Sequence, residues 1–241
     1  MSVPTSVKRT VKRLWRSRFR YHCPVCGTYE DAFWSFSPTG QPTRENAVCP
    51  VCHSLERHRL SWQFLKRSTN LFDASPKRML HVAPEPHFGA RLRALPNLGY
   101  VSFDWSSADA AIHGDLTAMP FASGTFDVIF CSHVLEHIPD DHAAMRECAR
   151  VLRPSGWAVF LVPIVGERTD EDLTVVDPAE RLARFGQADH VRVFGMDFVG
   201  RLASSGFEVD VVTAGAIETT AGRSLGLQPA EPPLFYCRPR R

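Results

Sequence analysis

Two closely spaced pairs of cysteines constrain this chain more than any other feature of its sequence. Cys23 and Cys26 form one Cys-Pro-Val-Cys motif, and Cys49 and Cys52 repeat it after 22 intervening residues. Each such turn directs two thiolates at one small metal ion, so two turns complete a tetrahedral site of the kind that Zn²⁺ prefers. Four sulfurs leave no coordination position for water or substrate. The spacing therefore predicts a structural zinc ion on these four cysteines rather than a catalytic one.

The segment that carries these cysteines is too short to fold around a hydrophobic core of its own. About 30 residues bury little apolar surface, so the metal is expected to be the main support of their fold. An aromatic stretch at Thr28–Phe36 and a turn-forming cluster at Ser37–Pro42 separate the two pairs. Together with the turns they make residues 21–53 resemble a zinc ribbon. Two alternatives stay open: the cysteines are buried without metal, or His53 or His58 replaces one thiolate.

The chain changes character after the second cysteine pair. Residues Ser54–Arg67 are rich in helix-favouring residues, with apolar positions at helical spacing. Polar segments containing serine, asparagine and proline follow and mark a boundary. We therefore expect a linker helix over residues 54–74 and a second domain over residues 75–241.

Short apolar segments alternate with helical ones along this second part. Phe126–Cys131 is a nearly continuous apolar run, which is typical of a strand covered on both faces. Helical segments are predicted at Phe88–Leu95, Asp140–Leu152 and Met196–Ser205. The predicted strands are Met79–Ala83, Tyr100–Asp104, a short one ending near Gly114, Phe126–Cys131, Gly156–Val162, Gly206–Val212 and Leu234–Cys237. This alternation predicts an α/β fold with a doubly wound, mostly parallel, seven-stranded sheet.

Candidate binding residues follow the predicted strands, because ligands of doubly wound sheets bind outside the carboxyl ends of the strands. Asp104 and Asp115 follow the second and third strands. One carboxylate can accept hydrogen bonds from a ribose diol and the other from an exocyclic amine, so the pair favours a nucleoside. Either acid by itself is more typical of a turn or a helix cap. The other candidates at strand ends are Ala83, Glu85, Gly89, Leu116, Cys131, Ser132 and His133.

A family resemblance becomes specific in the middle of the chain. Asp115–Asp140, with the sequence DLTAMPFASGTFDVIFCSHVLEHIPD, resembles the central signature of Rossmann-like S-adenosylmethionine-dependent methyltransferases of the type 11 class. Arg150–Gly156 resembles their turn into the fifth strand. The resemblance implies that S-adenosylmethionine is the co-substrate. It implies Asp104 on the ribose hydroxyls and Asp115 with Leu116 around the adenine.

The same resemblance extends to two further segments. It implies that Cys131-Ser132-His133 lies beside the methionine moiety of the co-substrate. The ribbon, followed by Arg57-His58-Arg59, resembles a bacterial subgroup in which a four-cysteine module precedes the methyltransferase domain. That subgroup often occurs in biosynthetic or glycan-modifying settings.

The loop after the first strand departs from the family pattern. The family usually has an acidic residue and a Gly-x-Gly-x-Gly loop here, whereas this chain has His81-Val-Ala-Pro-Glu-Pro-His-Phe-Gly89. Pro84 and Pro86 lack the N–H groups that such a loop offers to a ligand. Glu85 would offer a carboxylate to the ammonium group of the co-substrate instead. The departure keeps two alternatives open, a non-methylating use of the sulfonium and a non-catalytic binding protein.

Two histidines are the candidates for a general base. Methyl transfer from a sulfonium depends mainly on positioning, with a base where a hydroxyl or amine proton must leave. His133, at the end of the fourth strand, is the first candidate, and His190 is the second because it ends the insertion Pro163–His190. This insertion contains charges of both signs and is expected to form the pocket for a polar acceptor. Cys131 is interpreted as a packing residue rather than a nucleophile.

Charge is distributed unevenly along the chain. Residues 1–22 contain seven basic residues and no acidic one, whereas the whole chain has a net charge of +2, so the remainder carries −5. A basic segment at residues 1–20 is usually a solvated leader, and it could also contact an anionic surface. RNA methyltransferases are expected to have a basic body with stacking aromatics, so the acidic body favours a small-molecule or glycan acceptor over nucleic acid.

Composition excludes several classes of protein. Hydrophobic residues make up 44% and charged residues 22% of the chain, which excludes a disordered or collagen-like protein. No apolar run is long enough for a membrane span, and the basic N-terminus lacks the apolar stretch of a secretory signal. We therefore expect a cytoplasmic enzyme, in which disulfides between the cysteines are disfavoured. The oligomeric state is not predicted.

Overall fold

The computed structural model describes four stretches of the chain, residues 19–38, 42–217, 224–228 and 231–240. The predicted basic segment at residues 1–20 lies almost entirely outside them. The chain divides into two compact units, one of Met1–Arg67 with Ala214–Glu231 and one of Ser68–Thr213 with Pro232–Arg241. Among the described residues, no helix combines the length and apolar character needed to cross a membrane.

The first part of this unit, up to Arg67, contains two short hairpins and a helix. Its strands are β1 (Tyr21–His22), β2 (Tyr29–Glu30), β3 (Trp34–Phe36) and β4 (Arg44–Val48), and its helix is α1 (Glu56–Ser68). β1 pairs antiparallel with β2, and β3 pairs antiparallel with β4. The Cys23–Cys26 turn connects β1 to β2, and the Cys49–Cys52 turn follows β4. The small strands therefore act as a frame that presents the cysteines.

A buried arginine of α1 binds a segment near the C-terminus, at Leu225 and Gly226, to the rest of this unit. Arg59 is fully buried, and its guanidinium donates to the backbone oxygens of Ala47 at 2.8 Å, Ser54 at 2.6 Å and Gly226 at 3.0 Å. A buried charge is tolerated only when its donors are satisfied, so these carbonyls hold the returning segment in place. Residues 214–231, which the sequence analysis places in a domain over 75–241, are grouped with the first unit by their contacts.

The second unit is built on one seven-stranded sheet. Its strands are β5 (Lys77–Val82), β6 (Leu98–Asp104), β7 (Ile112–His113), β8 (Phe126–Ser132), β9 (Leu152–Leu161), β12 (Phe207–Val212) and β13 (Leu234–Pro239). Their spatial order is β12-β13-β9-β8-β5-β6-β7. The pairs from β9 to β7 are parallel, and β13 is antiparallel to both of its neighbours. The predicted doubly wound, mostly parallel, seven-stranded sheet is confirmed.

Helices and a small hairpin complete the second unit. The helices are α2 (Pro86–Arg93), α3 (Asp141–Val151), α4 (Pro178–Phe185) and α5 (Phe198–Ser204), and the hairpin pairs β10 (Asp170–Glu171) with β11 (Arg192–Val193). A four-residue helix, α6 (Ala214–Ile217), follows β12 and belongs to the first unit. Strand residues such as Ile129 and Phe160 form one buried core with Met145 of α3 and Leu202 of α5. This core supports the carboxyl ends of the parallel strands.

The strand after α3 begins earlier than predicted. The expected start was Gly156, but β9 runs from Leu152 and contains a register shift: Phe126 pairs with Leu152, and Val128 pairs with Trp157. A Cβ on Gly156 would lie 2.8 Å from a backbone oxygen of the neighbouring strand. Glycine is therefore required where the two backbones approach each other after the irregular turn.

Candidate functional site

The four cysteines of the first unit form one cluster with the dimensions of a tetrahedral metal site. Their Sγ atoms all lie within 4.8 Å of one another, with 3.6 Å between Cys23 and Cys52 and 3.8 Å between Cys26 and Cys49. Four sulfurs bound to zinc at ~2.3 Å would be about 3.8 Å apart. None of these cysteines forms a disulfide. The donor set and its spacing therefore fit the predicted zinc ion.

Local backbone geometry produces this cluster. Each cysteine turn ends in a residue with left-handed backbone geometry, Gly27 at φ 78° and His53 at φ 56°. The N–H of Gly27 donates to the carbonyl of Cys23 at 2.8 Å, and that of His53 donates to Cys49 at 2.9 Å. These bonds curl each motif so that both thiols point inward. Hydrogen bonding with the Cys26 thiol lowers the pKa of Cys23 to about 7.

Neither histidine near the ribbon belongs to this cluster. The His53 ring packs against Trp34, with ring centroids 5.7 Å apart. Nδ1 of His58 accepts a hydrogen bond from the backbone N–H of Leu55 at 3.0 Å, at the start of α1. The potential ligands gathered at this point, among the described residues, are the four cysteines. Four thiolates thus remain the donor set for this site.

A second group of candidate residues lies at the carboxyl ends of the parallel strands in the second unit. Ala83 follows β5 and His133 follows β8, and both have positive φ angles, 45° and 54°. Such angles are uncommon for residues other than glycine and mark backbone held in place by its surroundings. The N–H of Ala83 donates to Phe103 at 2.8 Å, and that of His133 donates to Leu161 at 2.9 Å. The two turns are therefore fixed to neighbouring strands.

The two predicted nucleoside ligands each use one carboxylate oxygen in a local turn. Oδ1 of Asp104 accepts from the backbone N–H groups of Ser106 and Ser107, at 2.8 and 2.7 Å. Oδ1 of Asp115 accepts from the backbone N–H and the hydroxyl of Thr117, both at 2.8 Å. Within the described part of the chain, neither Oδ2 atom has a hydrogen bond. One acceptor of each carboxylate therefore remains available to a ligand.

The other predicted cofactor contacts divide between surface and core. Leu116 and Cys131 are buried, and burial raises the pKa of the Cys131 thiol well above its usual value, which agrees with a packing role. Ser132 is buried, and its hydroxyl has no partner among the described residues. Glu85 precedes α2 without capping it. A Cβ on Gly89 would lie 3.1 Å from the Tyr100 hydroxyl, so this glycine serves packing inside the unit.

The two predicted bases lie beside one buried carboxylate. Nδ1 of His133 is 3.2 Å from Oε1 of Glu136, and the His133 side chain is 32% exposed. His190 is only 2% exposed, and its ring lies edge-on to that of His137 with centroids 4.7 Å apart. Ligand atoms of Glu136, His137 and His190 all lie within 4.8 Å of one another. The structure therefore presents His133 to solvent but encloses His190, and burial lowers the pKa of His190.

A buried arginine clamps the loop that carries this cluster. Arg192 is 1% exposed and donates to the backbone oxygens of Leu135 at 3.0 Å and Pro139 at 2.8 Å, and also to that of Ile138. Its Nε pairs with Glu171 at 2.9 Å. Arg192 was not among the predicted site residues, because in the sequence it resembles a solvated arginine next to a charged insertion.

We expect replacement of Arg192 by methionine to lower the free energy of unfolding by about 3–5 kcal/mol, since it leaves buried carbonyls without donors. Arg184 is a matched control because its pairs with Asp170 and Asp172 are exposed. Arg184→Met should change stability by no more than about 1 kcal/mol. Denaturant unfolding followed by circular dichroism measures both variants. Equal, small effects would contradict the role of Arg192 as a clamp.

Comparisons with known proteins agree with this arrangement. Residues 78–160 match the family described as "Methyltransferase domain". The chain is 30% identical over 129 residues to the ubiquinone biosynthesis O-methyltransferase of Vibrio parahaemolyticus, covering 46% of this chain and 52% of that protein. It is 31% identical over 86 residues to the Vibrio campbellii protein of the same name, covering 28% and 37%. The chain thus spans about half or less of the length of these relatives.

One solved structure shows a similar fold. It contains the Haloferax volcanii Trm112 methyltransferase activator in complex with its proposed methyltransferase, and one of its chains matches with a TM-score of 0.50. The match covers 77% of this chain and 91% of that one at 14% identity, which bears on the fold alone. Together, the sequence match and the sheet topology support a methyltransferase domain, on a Rossmann-like sheet, for residues 78–160.

Proposed function

We propose that the second unit transfers a methyl group from S-adenosylmethionine to a hydroxyl or amine of a small polar metabolite or glycan. The observation that carries this proposal is the convergence of Ala83, Asp104 and His133 at the carboxyl edge of one parallel sheet, within the region that matches methyltransferase domains. In sheets of this kind, that edge is where ligands bind.

The proposed contact of each residue with the co-substrate depends on which of its atoms are not already used in hydrogen bonds within the protein. Asp104 would accept from the ribose hydroxyls, and Asp115 would accept from the adenine amine, each through Oδ2. Leu116 would contribute apolar contact to the base. The positive φ angles at Ala83 and His133 turn the backbone at two strand ends, as a loop that closes on a ligand requires. Glu85 would face the ammonium group of the co-substrate.

His133 is the residue that we propose as the base. The sulfonium supplies an already activated methyl group, so the protein mainly has to align the acceptor and remove its proton. Nδ1 of His133 lies beside the Glu136 carboxylate, which would keep the imidazole in position. Nε2 would then accept the proton of the acceptor as its oxygen or nitrogen bonds to the methyl carbon and the carbon–sulfur bond of the co-substrate breaks, which leaves S-adenosylhomocysteine. His190 would act through Glu136, because it is buried.

The insertion Pro163–His190 is the proposed acceptor pocket, although several of its charged groups are already paired within the protein. Arg184 pairs with Asp170 and Asp172, and the guanidinium of Arg181 donates to the carbonyl of Val175 at 2.8 Å. Exposed apolar side chains, Val165, Leu173 and Val176, lie on the same insertion. We therefore propose that the acceptor combines polar groups with an apolar portion.

The zinc ion on the four cysteines is proposed as a structural element of the first unit. Its donor set fits four-coordinate zinc, in which no position remains for substrate. A role of this ribbon in binding nucleic acid is the alternative, and it is less consistent with the net charge of −5 outside residues 1–22. A gel shift with RNA at increasing salt concentration distinguishes the two roles.

We expect Asp104→Asn to weaken binding of S-adenosylhomocysteine by about 1.5–3 kcal/mol, because a hydrogen bond to a charged group is lost. The amide oxygen can still accept the turn hydrogen bonds from Ser106 and Ser107, so the local fold is retained. Asp115→Asn should weaken binding less, since the adenine amine would donate one hydrogen bond to this residue whereas the ribose diol would donate two to Asp104. Isothermal titration calorimetry measures both values.

The wild-type titration is the decisive control for this proposal. If neither S-adenosylmethionine nor S-adenosylhomocysteine binds at millimolar concentration, the proposed methyltransferase activity is refuted. Binding without turnover on hydroxyl and amine acceptors would favour the second candidate, a non-methylating protein on the same fold. The specific observation in favour of that candidate is the first loop, in which Pro84 and Pro86 offer no N–H groups.

A further inference from the structure

We propose that Glu136, His137 and His190 form a second metal site, for a divalent transition-metal ion, separate from the four cysteines. The three side chains come from the turn after β8 and from the segment before β11, both in the second unit. Their ligand atoms lie within 4.8 Å of one another. Two imidazoles and one carboxylate around a common point are a recurrent donor set for such ions.

Burial without hydrogen bonds is the first argument for a cation at this point. The Glu136 side chain is fully buried, and neither of its carboxylate oxygens has a hydrogen-bond partner among the described residues. Nε2 of His190 is also buried and without a partner in that part of the chain. Buried polar groups are normally satisfied, and a buried carboxylate needs a compensating charge. A metal ion would satisfy both groups at once.

The orientation of His190 is the second argument. Its Nδ1 lies 3.1 Å from the backbone oxygen of Phe185, which can only accept a hydrogen bond, so Nδ1 carries the proton. Nε2 therefore keeps its lone pair. Metal-ligating histidines typically donate their other N–H to a carbonyl or carboxylate in this way. The tautomer of His190 is thus the one that a metal ligand needs.

The surroundings of the cluster hold it in position. The N–H of Val191 donates to the backbone oxygen of Glu136 at 3.0 Å, which joins the two segments that carry the ligands. Asp189 lies 3.2 Å from Nδ1 of His137, and His133 lies 3.2 Å from Glu136. Asp189 and His133 thus contact two of the three proposed ligands without belonging to the ligand set. The site is therefore pre-formed rather than assembled by the ion.

The donor types select the class of ion. Imidazole nitrogen favours Fe²⁺, Co²⁺, Ni²⁺ or Zn²⁺ over Mg²⁺ and Ca²⁺, which prefer oxygen donors, and the carboxylate also suits Mn²⁺. Three protein ligands leave at least one coordination position open, unlike the four thiolates of the ribbon. The ion would therefore take an external oxygen ligand at the carboxyl edge of the sheet.

Manganese binding to the full chain, with its cysteine site loaded with zinc, tests this proposal. Mn²⁺ prefers nitrogen and oxygen donors and does not displace zinc from thiolates, so its electron paramagnetic resonance signal reports the second site. We expect one Mn²⁺ per wild-type chain and at least tenfold weaker binding in Glu136→Gln and in His190→Gln. His142→Gln is the matched control, because His142 contacts Ser205 outside the cluster. Equilibrium dialysis should likewise give two zinc ions per wild-type chain and one in each ligand variant.

Thermal unfolding separates a metal ligand from a residue needed only for folding. Glu136→Gln removes a buried charge, so without Mn²⁺ its midpoint should equal or exceed that of the wild type. Added Mn²⁺ should raise the wild-type midpoint and leave that of Glu136→Gln unchanged. The proposal is overturned if the wild type binds neither Mn²⁺ nor a second zinc ion, or if both ligand variants bind them as the wild type does. Since these measurements use no co-substrate, their outcome is independent of the proposed methyl transfer.

Discussion

Replacement of Cys49 by serine is expected to abolish zinc binding at the ribbon and to unfold residues 21–53. Binding of structural zinc contributes about 10–16 kcal/mol in small zinc modules, and there it is the folding free energy itself. The four Sγ atoms of the cluster lie within 4.8 Å of one another. Removal of one thiolate would leave the proposed zinc ion with three of its four ligands. Zinc content by mass spectrometry and proteolytic cleavage within residues 21–53 should change together.

Cys148 provides the matched control for this experiment. It is fully buried in the core of the second unit and does not belong to the cysteine cluster. Cys148→Ala should therefore keep the zinc of the ribbon, and any destabilisation should appear in the second unit. Protein purified without chelators that contains no zinc at Cys23, Cys26, Cys49 and Cys52 would show that the site is not a zinc site.

Replacement of His133 by alanine is expected to lower kcat by about 10²–10⁴-fold, the usual effect of removing a general base. Its imidazole is accessible at one side and lies 3.2 Å from Glu136 at the other, so it is positioned to take a proton from an acceptor. The affinity for S-adenosylmethionine should remain near that of the wild type, because the ribose and adenine contacts involve other strands. Steady-state kinetics with a methyl acceptor and calorimetry with the co-substrate measure the two effects separately.

The kinetic experiment has a control histidine and a clear contrary result. His142, on α3, should tolerate glutamine without loss of turnover, since it contacts Ser205 away from the strand ends. If His133→Ala retains near-wild-type kcat, methyl transfer proceeds by proximity alone. His133 would then be a structural residue whose left-handed backbone, at φ 54°, shapes the turn after β8.

Local patterns in the sequence were sufficient for the architecture. Continuous apolar runs such as Phe126–Cys131 depend only on burial of both strand faces, and they predicted the parallel sheet correctly. The spacing within and between the two cysteine motifs was likewise enough to predict that the four thiols would meet. In both cases the physical cause is short in range: strand periodicity in one, and the reach of a two-residue turn in the other.

Contacts between distant segments required the tertiary structure. Nothing in the sequence indicated that Arg59 would bind the backbone of Leu225 and Gly226, or that Arg192 would clamp the loop of Glu136. Buried arginines of this kind satisfy backbone carbonyls, and carbonyls carry no residue-specific signal. The enclosure of His190 beside Glu136 and His137 has the same origin, because chain packing alone brings the insertion to the turn after β8. The sequence by itself therefore determined which elements form, whereas packing decided which side chains share a site.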